Sequence, residues 1–327
     1  MDHIHIARTK TADYFPIHLE SLRIDSYLDF DLYLKNNGKV ILFRASNMPF
    51  TEKTKVNLLE NGVSELYISM VNRQSYQKYV ETNIKEIIRD GSIDEPTKSR
   101  IIYDCATQLV KDVLDKPTLG ENIKRSQQIV ESTVFYILSE ESSFHNLLRL
   151  MSFDYTTYSH SVNVCTFSLA LAQYIGIDDE YALNAIGTGA LLHDIGKTKI
   201  PESILLKRAA LTEQEMALIK RHPEWGAELA QSTDLIPKEA YYPIIQHHER
   251  EDGSGYPYGL YSKDIHIFGK IAAIADVFDA MTTMRVYRAA VDTFPALMTM
   301  YSERDSFDRH LLEEFTLLLG PTELTGI

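Results

Sequence analysis

Two short phrases in the second half of the chain need each other chemically. One is His193-Asp194-Ile195-Gly196-Lys197; the other is His247-His248-Glu249-Arg250, followed at once by Asp252-Gly253-Ser254-Gly255-Tyr256-Pro257, and His222 stands between them. Several imidazoles with a carboxylate able to bridge two cations are the ligand types of Zn, Mn or Fe centres rather than of Mg or Ca. The region reads as a site for metal-dependent cleavage of a phosphodiester.

A single histidine on a helix is most often a hydrogen-bonded core or surface residue. Of the 11 histidines, however, His160, His193, His222, His247 and His248 all fall near predicted helix ends within one helical half, where a bundle interior can gather them. Asp276 adds independent support. Ile271-Ala272-Ala273-Ile274-Ala275 before it and Val277-Phe278 after it leave that helix almost no polar face, and a buried carboxylate needs an ion pair or a metal. Asp279 lies on nearly the same face and is expected to stand behind a ligating histidine.

His160, His193-Asp194 and Asp276 follow the order of the HD phosphohydrolase superfamily, and the run from His247 to Pro257 resembles the signature of the HD-GYP family of cyclic di-GMP phosphodiesterases. The resemblance covers residues 153–315 and takes in Asp154-Tyr155-Thr156, Leu205, Leu211-Thr212, His222-Pro223 and Ala275-Asp276-Val277-Phe278-Asp279-Ala280. It implies a helical metal-dependent phosphodiesterase that opens cyclic di-GMP to the linear dinucleotide, using two divalent ions, iron or manganese. His160, His193, Asp194 and Asp276 would hold one ion; Asp194, as the bridge, with His222, His247 and His248 would hold the other. Lys197 matches the family lysine that meets a substrate phosphate or the attacking water, so Asp194 and Lys197 are the catalytic pair the resemblance implies. Gly255, Tyr256, Pro257, Arg285 and Arg288 match substrate-binding positions. Family partners would be a second copy, met through the helical connector, and diguanylate cyclase domains. Two departures stand out. Thr156 replaces a glutamate that holds a third ion in some members, which favours two ions here. Met284-Arg285-Val286-Tyr287-Arg288 lacks the proline usual before the tyrosine, which frees that backbone. A receptor that binds the dinucleotide without hydrolysing it, and a hydrolase of another cyclic dinucleotide, remain open alternatives.

Composition narrows the setting. With 33 basic and 46 acidic residues, formal net charge −13, the surface does not suit non-specific binding to nucleic acid or anionic membrane, so an anionic substrate needs a locally positive site. Hydrophobic content of 44% and charged content of 24% describe an ordinary globular chain. Cys105 and Cys165 are too few for a disulfide framework, no apolar run reaches a spanning length, and Met1-Asp2-His3-Ile4-His5 lacks the order of a signal peptide. A cytoplasmic protein is expected.

The elements that must position these residues divide the 327-residue chain into three expected parts. Residues 1–74 form a small α/β domain of β-β-α-β order: a strand within 25–34, a turn at Asn36-Asn37-Gly38, a strand from Val40 to Phe43, a helix opened by Thr51 and closed by Asn61-Gly62, and a strand at Leu66-Tyr67-Ile68. It carries no phosphate loop or catalytic pair and reads as a regulatory or dimerising module. Residues 75–150 form a helical linker with stripes at Tyr76, Tyr79, Val80, Ile84, Ile87 and Ile88, at Ile101, Ile102, Cys105, Leu109 and Val113, and at Ile123, Val130, Val134, Ile137 and Leu138. Residues 151–327 are all helical: one helix ends at Gly176, Asp178 caps the next, Gly196 closes it, a Thr212/Glu215 capping box opens the helix delivering His222, Pro237 opens one that presents His247-His248, and a last clear helix runs from Phe268 to Met284. The fold class is therefore mainly α.

Overall fold

The computed structural model describes residues 13–36, 38–116, 120–139, 142–151, 157–207, 209–232, 235–283, 291–303 and 305–320. Asn37, Asp154-Tyr155-Thr156, and Met284 to Arg288 with both Arg285 and Arg288 lie outside them. The chain forms two compact units, Met1–Ile101 and Ile102–Ile327. It is mainly helical with a small N-terminal sheet, as the sequence leads one to expect.

In the first unit the strands are β1 (Tyr14–His18), β2 (Ser26–Tyr27), β3 (Leu32–Asn36), β4 (Lys39–Arg44), β5 (Pro49–Phe50) and β6 (Glu65–Ser69), with helix α1 (Glu52–Glu60) between the last two. An antiparallel sheet runs in the order β1-β6-β3-β4, and β2 pairs with β5 in a separate ladder. The β-β-α-β reading recovers β3, β4, α1 and β6 but misses β1 and the small ladder. Pro16 sits in β1 opposite Tyr67; proline cannot donate to a ladder and masks a strand in the sequence, yet an edge strand tolerates it. Thr51 caps α1, its hydroxyl accepting from Thr54 N, and Gly62 supplies the positive φ of +72° that ends the turn. Leu19, Leu22, Phe30, Leu32, Phe50, Leu66 and Ile68 close the core. Helix α2 (Arg73–Arg89) buries Val80, Ile84, Ile87 and Ile88.

Helix α3 (Glu95–Asp115) contains the boundary between the units. Beyond it come α4 (Gly120–Ser139), α5 (Ser143–Met151), α6 (Thr157–Tyr174), α7 (Glu180–Leu192), α8 (Glu202–Leu205), α9 (Glu213–Ile219), α10 (His222–Gln231), α11 (Tyr241–Gln246), α12 (Ile267–Thr282), α13 (Thr293–Ser302) and α14 (Arg309–Leu319). Phe167 of α6, Phe278 of α12 and Phe315 of α14 meet edge to face at ring separations of 5.1 to 5.7 Å and tie those helices together. Leu138 departs from the expected α4 stripe and is 49% exposed.

Local chemistry corrects three boundaries. Asp179 rather than Asp178 caps α7, its carboxylate accepting from Ala182 N. The Thr212/Glu215 capping box is present, but α9 ends before His222, which instead opens α10 with Pro223 in the first turn, where a missing N–H is harmless. Gly196 lies inside a short 3-10 turn, Ile195–Lys199, and is required by close approach rather than by helix termination: a Cβ there would meet His222 O at 1.9 Å and Gly226 N at 2.5 Å.

Candidate metal centre

Five helices converge. His160 projects from the first turn of α6, His193 and Asp194 follow the end of α7, His222 opens α10, His247 and His248 follow α11, and Asp276 lies in α12. The packing of Gly196 against the start of α10 brings the His193-Asp194 turn against His222. Six of these seven side chains are buried; His248 keeps a 20% exposed side chain.

The rings are oriented from behind. His193 Nδ1 faces Ala190 O at 2.7 Å, His222 Nδ1 faces Ile219 O at 2.8 Å, and His247 Nδ1 faces the carbonyls of Pro243 and Ile244 at 3.0 and 2.9 Å. A carbonyl only accepts, so each Nδ1 carries the proton and each Nε2 turns a lone pair inward. His160 Nδ1 meets Asp279 Oδ2 at 2.6 Å in the same manner, which places Asp279 behind a clustered histidine.

The inward atoms form two groups. One joins His160, His193 and Asp194; the other joins His222, His247 and His248. Asp194 faces both: its Oδ2 lies 3.4 Å from His193 Nε2 and its Oδ1 lies 3.3 Å from His222 Nε2. Asp276 Oδ1 is 3.1 Å from His160 Nε2, and its Oδ2 is 3.6 Å from His248 Nδ1. Lys197 Nζ sits 2.6 Å from Asp194 Oδ2.

This donor set fits divalent cations. His193 Nε2 and Asp194 Oδ1 are buried with no hydrogen-bond partner, a costly condition of about 1–3 kcal/mol for each atom unless a cation meets it. His222 Nε2 and His247 Nε2 face each other at 3.1 Å. Both rings already donate through Nδ1, which leaves the two Nε2 atoms to meet a shared proton or cation. Burial, then the His248, His193 and His222 rings, hold His247 well below the usual imidazole range. Burial also brings His248 down to about 3 against the pull of Asp276. His247 and His248 are thus held neutral, as metal coordination requires, whereas at His160 burial is outweighed by the carboxylates of Asp276 and Asp279, which hold that ring well above the usual imidazole range. Burial alone would raise the carboxyls, but Lys197 and His193 hold Asp194 well below its ordinary value, and His160 and His248 do so for Asp276.

The loop of residues 250–260 covers one side. Glu249 is buried and accepts from Tyr258 N and Leu260 N at 2.8 and 2.9 Å. Gly255 has no room for a side chain, since a Cβ would lie 2.4 Å from Arg250 N. Tyr256 donates its N–H to His248 O, stacks its ring 4.6 Å from that of His248, and is followed by Pro257. Burial pushes the Tyr256 phenol up, so it stays protonated. Sequence reasoning quoted Glu249 within the motif without a role and missed Asn163 and Thr283, which donate to Asp279 Oδ1 at 2.7 and 2.9 Å. Helical spacing carried a usable signal: Asn163 is three residues after His160, and Thr283 four after Asp279.

A helical domain gathering a His-Asp pair, further histidines and a distant aspartate into two adjoining groups of candidate metal ligands has the HD-type arrangement. Residues 139–311 match the HD domain, over half the chain, and the chain belongs to that family. It is 33% identical over 195 residues to a cyclic di-GMP phosphodiesterase of Pseudomonas aeruginosa, covering 60% of this chain and 47% of that one. It is 41% identical over 133 residues to 3'3'-cGAMP-specific phosphodiesterase 2 of Vibrio cholerae, covering 40% of this chain and 25% of that one. The structure of Bd1817, an HDG"Y"P protein from Bdellovibrio bacteriovorus, aligns over 94% of this chain and 100% of its own, with TM-score 0.67 and 26% identity. The chain thus spans about half the length of the first of these curated relatives and a quarter of the second.

Proposed function

We propose that this chain is a cyclic dinucleotide phosphodiesterase that uses two divalent ions and takes cyclic di-GMP, giving the linear dinucleotide and, after a second cleavage, GMP. The observation that supports it most is the placement of Asp194, with one oxygen turned to each histidine group. In this reading His160, His193, Asp194 and Asp276 hold one ion, and Asp194, His222, His247 and His248 the other. Bound there, the ions would supply an activated water and charge compensation for the phosphate oxygens. Iron or manganese is proposed from the family resemblance; the donors themselves disfavour Mg and Ca but suit Co and Zn as well.

The protein's own residues bind and orient. Lys197, whose side chain is 29% exposed, stands at the open side of the cluster, where its ammonium takes a phosphate oxygen while staying paired with Asp194. The ring of Tyr256, with Gly255 and Pro257 shaping its loop, walls the side next to His248 and excludes water there. Arg285 and Arg288 belong to the same proposal as holders of the substrate phosphates. No side-chain nucleophile is needed.

A second substrate, 3'3'-cGAMP, is favoured by the similarity to the Vibrio cholerae enzyme. Two buried free cysteines agree with a reducing compartment, and the proposal places the protein in the cytoplasm. Among the described residues no helix is long and apolar enough to cross a membrane. The sequence-derived division at residues 74 and 150, dimerisation through the connector and contact with diguanylate cyclase domains are further parts of the proposal.

The test is anaerobic purification, a count of bound metal, and turnover of both dinucleotides by wild type and Asp194→Ala. Metal-dependent turnover lost in the variant supports the reading. Tight binding without turnover across Mn and Fe removes the enzyme, and turnover of 3'3'-cGAMP alone replaces the substrate.

A further inference from the structure

Asp279 stands behind His160 rather than among the inward-facing atoms. Its Oδ2 holds His160 Nδ1 at 2.6 Å, and its Oδ1 receives Asn163 Nδ2 at 2.7 Å. Asn163 is held in turn by Tyr103, whose hydroxyl donates to Asn163 Oδ1 at 2.8 Å. The two ends of an amide are nearly equal in size, so shape alone does not decide which one meets Asp279. The carboxylate only accepts and so calls for the NH2, and the Tyr103 hydroxyl, donating to the amide oxygen on the other side, holds the amide in that orientation. Reversed, the amide oxygen would face a carboxylate oxygen. Asn163 is 0% exposed, Asp279 1% and His160 2%, so water cannot substitute for a misdirected partner.

Tyr103 lies on α3, outside the 139–311 region that matches the HD domain. We infer that Tyr103 is a positioning residue of the metal centre, acting through Asn163 and Asp279 to fix the ring of His160, so that the helix preceding the HD domain is a working part of the site. Three successive side-chain hydrogen bonds thus lead from Tyr103 to the ring that faces Asp276 and Asp194, with Thr283 donating to the same Asp279 oxygen as Asn163. This inference rests on the metal-centre reading above, and its tests separate the two.

Two measurements decide it. The first is the proton resonance of His160 Nδ1–H, read by NMR in metal-free protein, where the 2.6 Å contact with a carboxylate places it far downfield. In Tyr103→Phe, which keeps the ring and removes only the hydroxyl, that resonance is expected to shift or exchange faster while those of His222 and His247 stay put. The second is a Mn2+ titration of wild type, Y103F, N163A and the double variant. Outer partners that orient a ligating histidine typically contribute 10- to 100-fold in affinity, and Tyr103 stands one step further out, so Y103F is expected to weaken one of two Mn2+ sites by roughly 3- to 10-fold. Adding Y103F to N163A is expected to change nothing more, because the chain is already broken. An unshifted His160 resonance, equal weakening of both sites, or full additivity with N163A overturns the inference. Wild type that takes up no Mn2+ defeats the metal-centre reading instead, and the resonance still decides the role of Tyr103.

Discussion

His222 Nε2 and His247 Nε2 lie 3.1 Å apart, each ring having its other nitrogen turned to a backbone carbonyl. At that spacing the two Nε2 atoms can share one cation. Mn2+ at 100 times its dissociation constant is expected to stabilise the protein by about 2.7 kcal/mol. In a unit of this size that raises the melting temperature by roughly 5–10 °C. Thermal unfolding with Mn2+ and with EDTA checks it; equal midpoints would contradict a cation site at this pair.

Removing single members of the cluster is expected to separate the two ions. Asp194→Asn loses both, because each of its oxygens serves a different group, whereas His160→Asn and His247→Asn each lose one. Metal content per chain, measured after desalting, should read near zero for the first variant and near half the wild-type value for the other two. Equal losses in all three would show that the groups are not separate.

Gly196→Ala is expected to destabilise the second unit by about 2–4 kcal/mol, since the new methyl meets two backbone atoms that cannot rotate away. Gly91→Ala, with nothing within 4 Å and in the first unit, should leave the transition of the second unit within about 0.5 kcal/mol of wild type. Urea unfolding followed by Trp225, the single tryptophan, reports the affected unit directly.

In the first unit, burial would raise the Asp90 carboxyl, but hydrogen bonds from Ser92 and Arg23 outweigh it and bring it down to about 2 from 3.8. A depressed carboxyl stabilises the fold above its unfolded value and ceases to do so as pH falls through the folded one. Asp90→Asn is therefore expected to lose about 1 kcal/mol at pH 7, after allowance for solvent screening of a 27% exposed side chain, and to match wild type by pH 2. Hydrogen exchange at the β1 and β6 amides, measured across that range, checks it.

What could be read from the chain alone was whatever leaves a local trace. The seven clustered residues carry rare chemistry, and Asp276 betrayed itself by being the acid in an apolar helix. Thr212 and Glu215 announced a cap through their spacing. Features that depend on what arrives from elsewhere were not legible. Gly196 looks like a helix terminator until His222 O is found against it. Pro16 disguises a strand whose edge position alone excuses it. Tyr103 is one of 19 tyrosines, and nothing near it in sequence points to a residue 60 positions away.

Glu249 follows the two paired histidines and accepts both Tyr258 N and Leu260 N, so the covering loop is bolted to the same turn that presents His247 and His248. Opening the loop would have to break both of those bonds or move the turn that carries the two rings. Fastened in this way, that flank favours a guest whose contour already matches it.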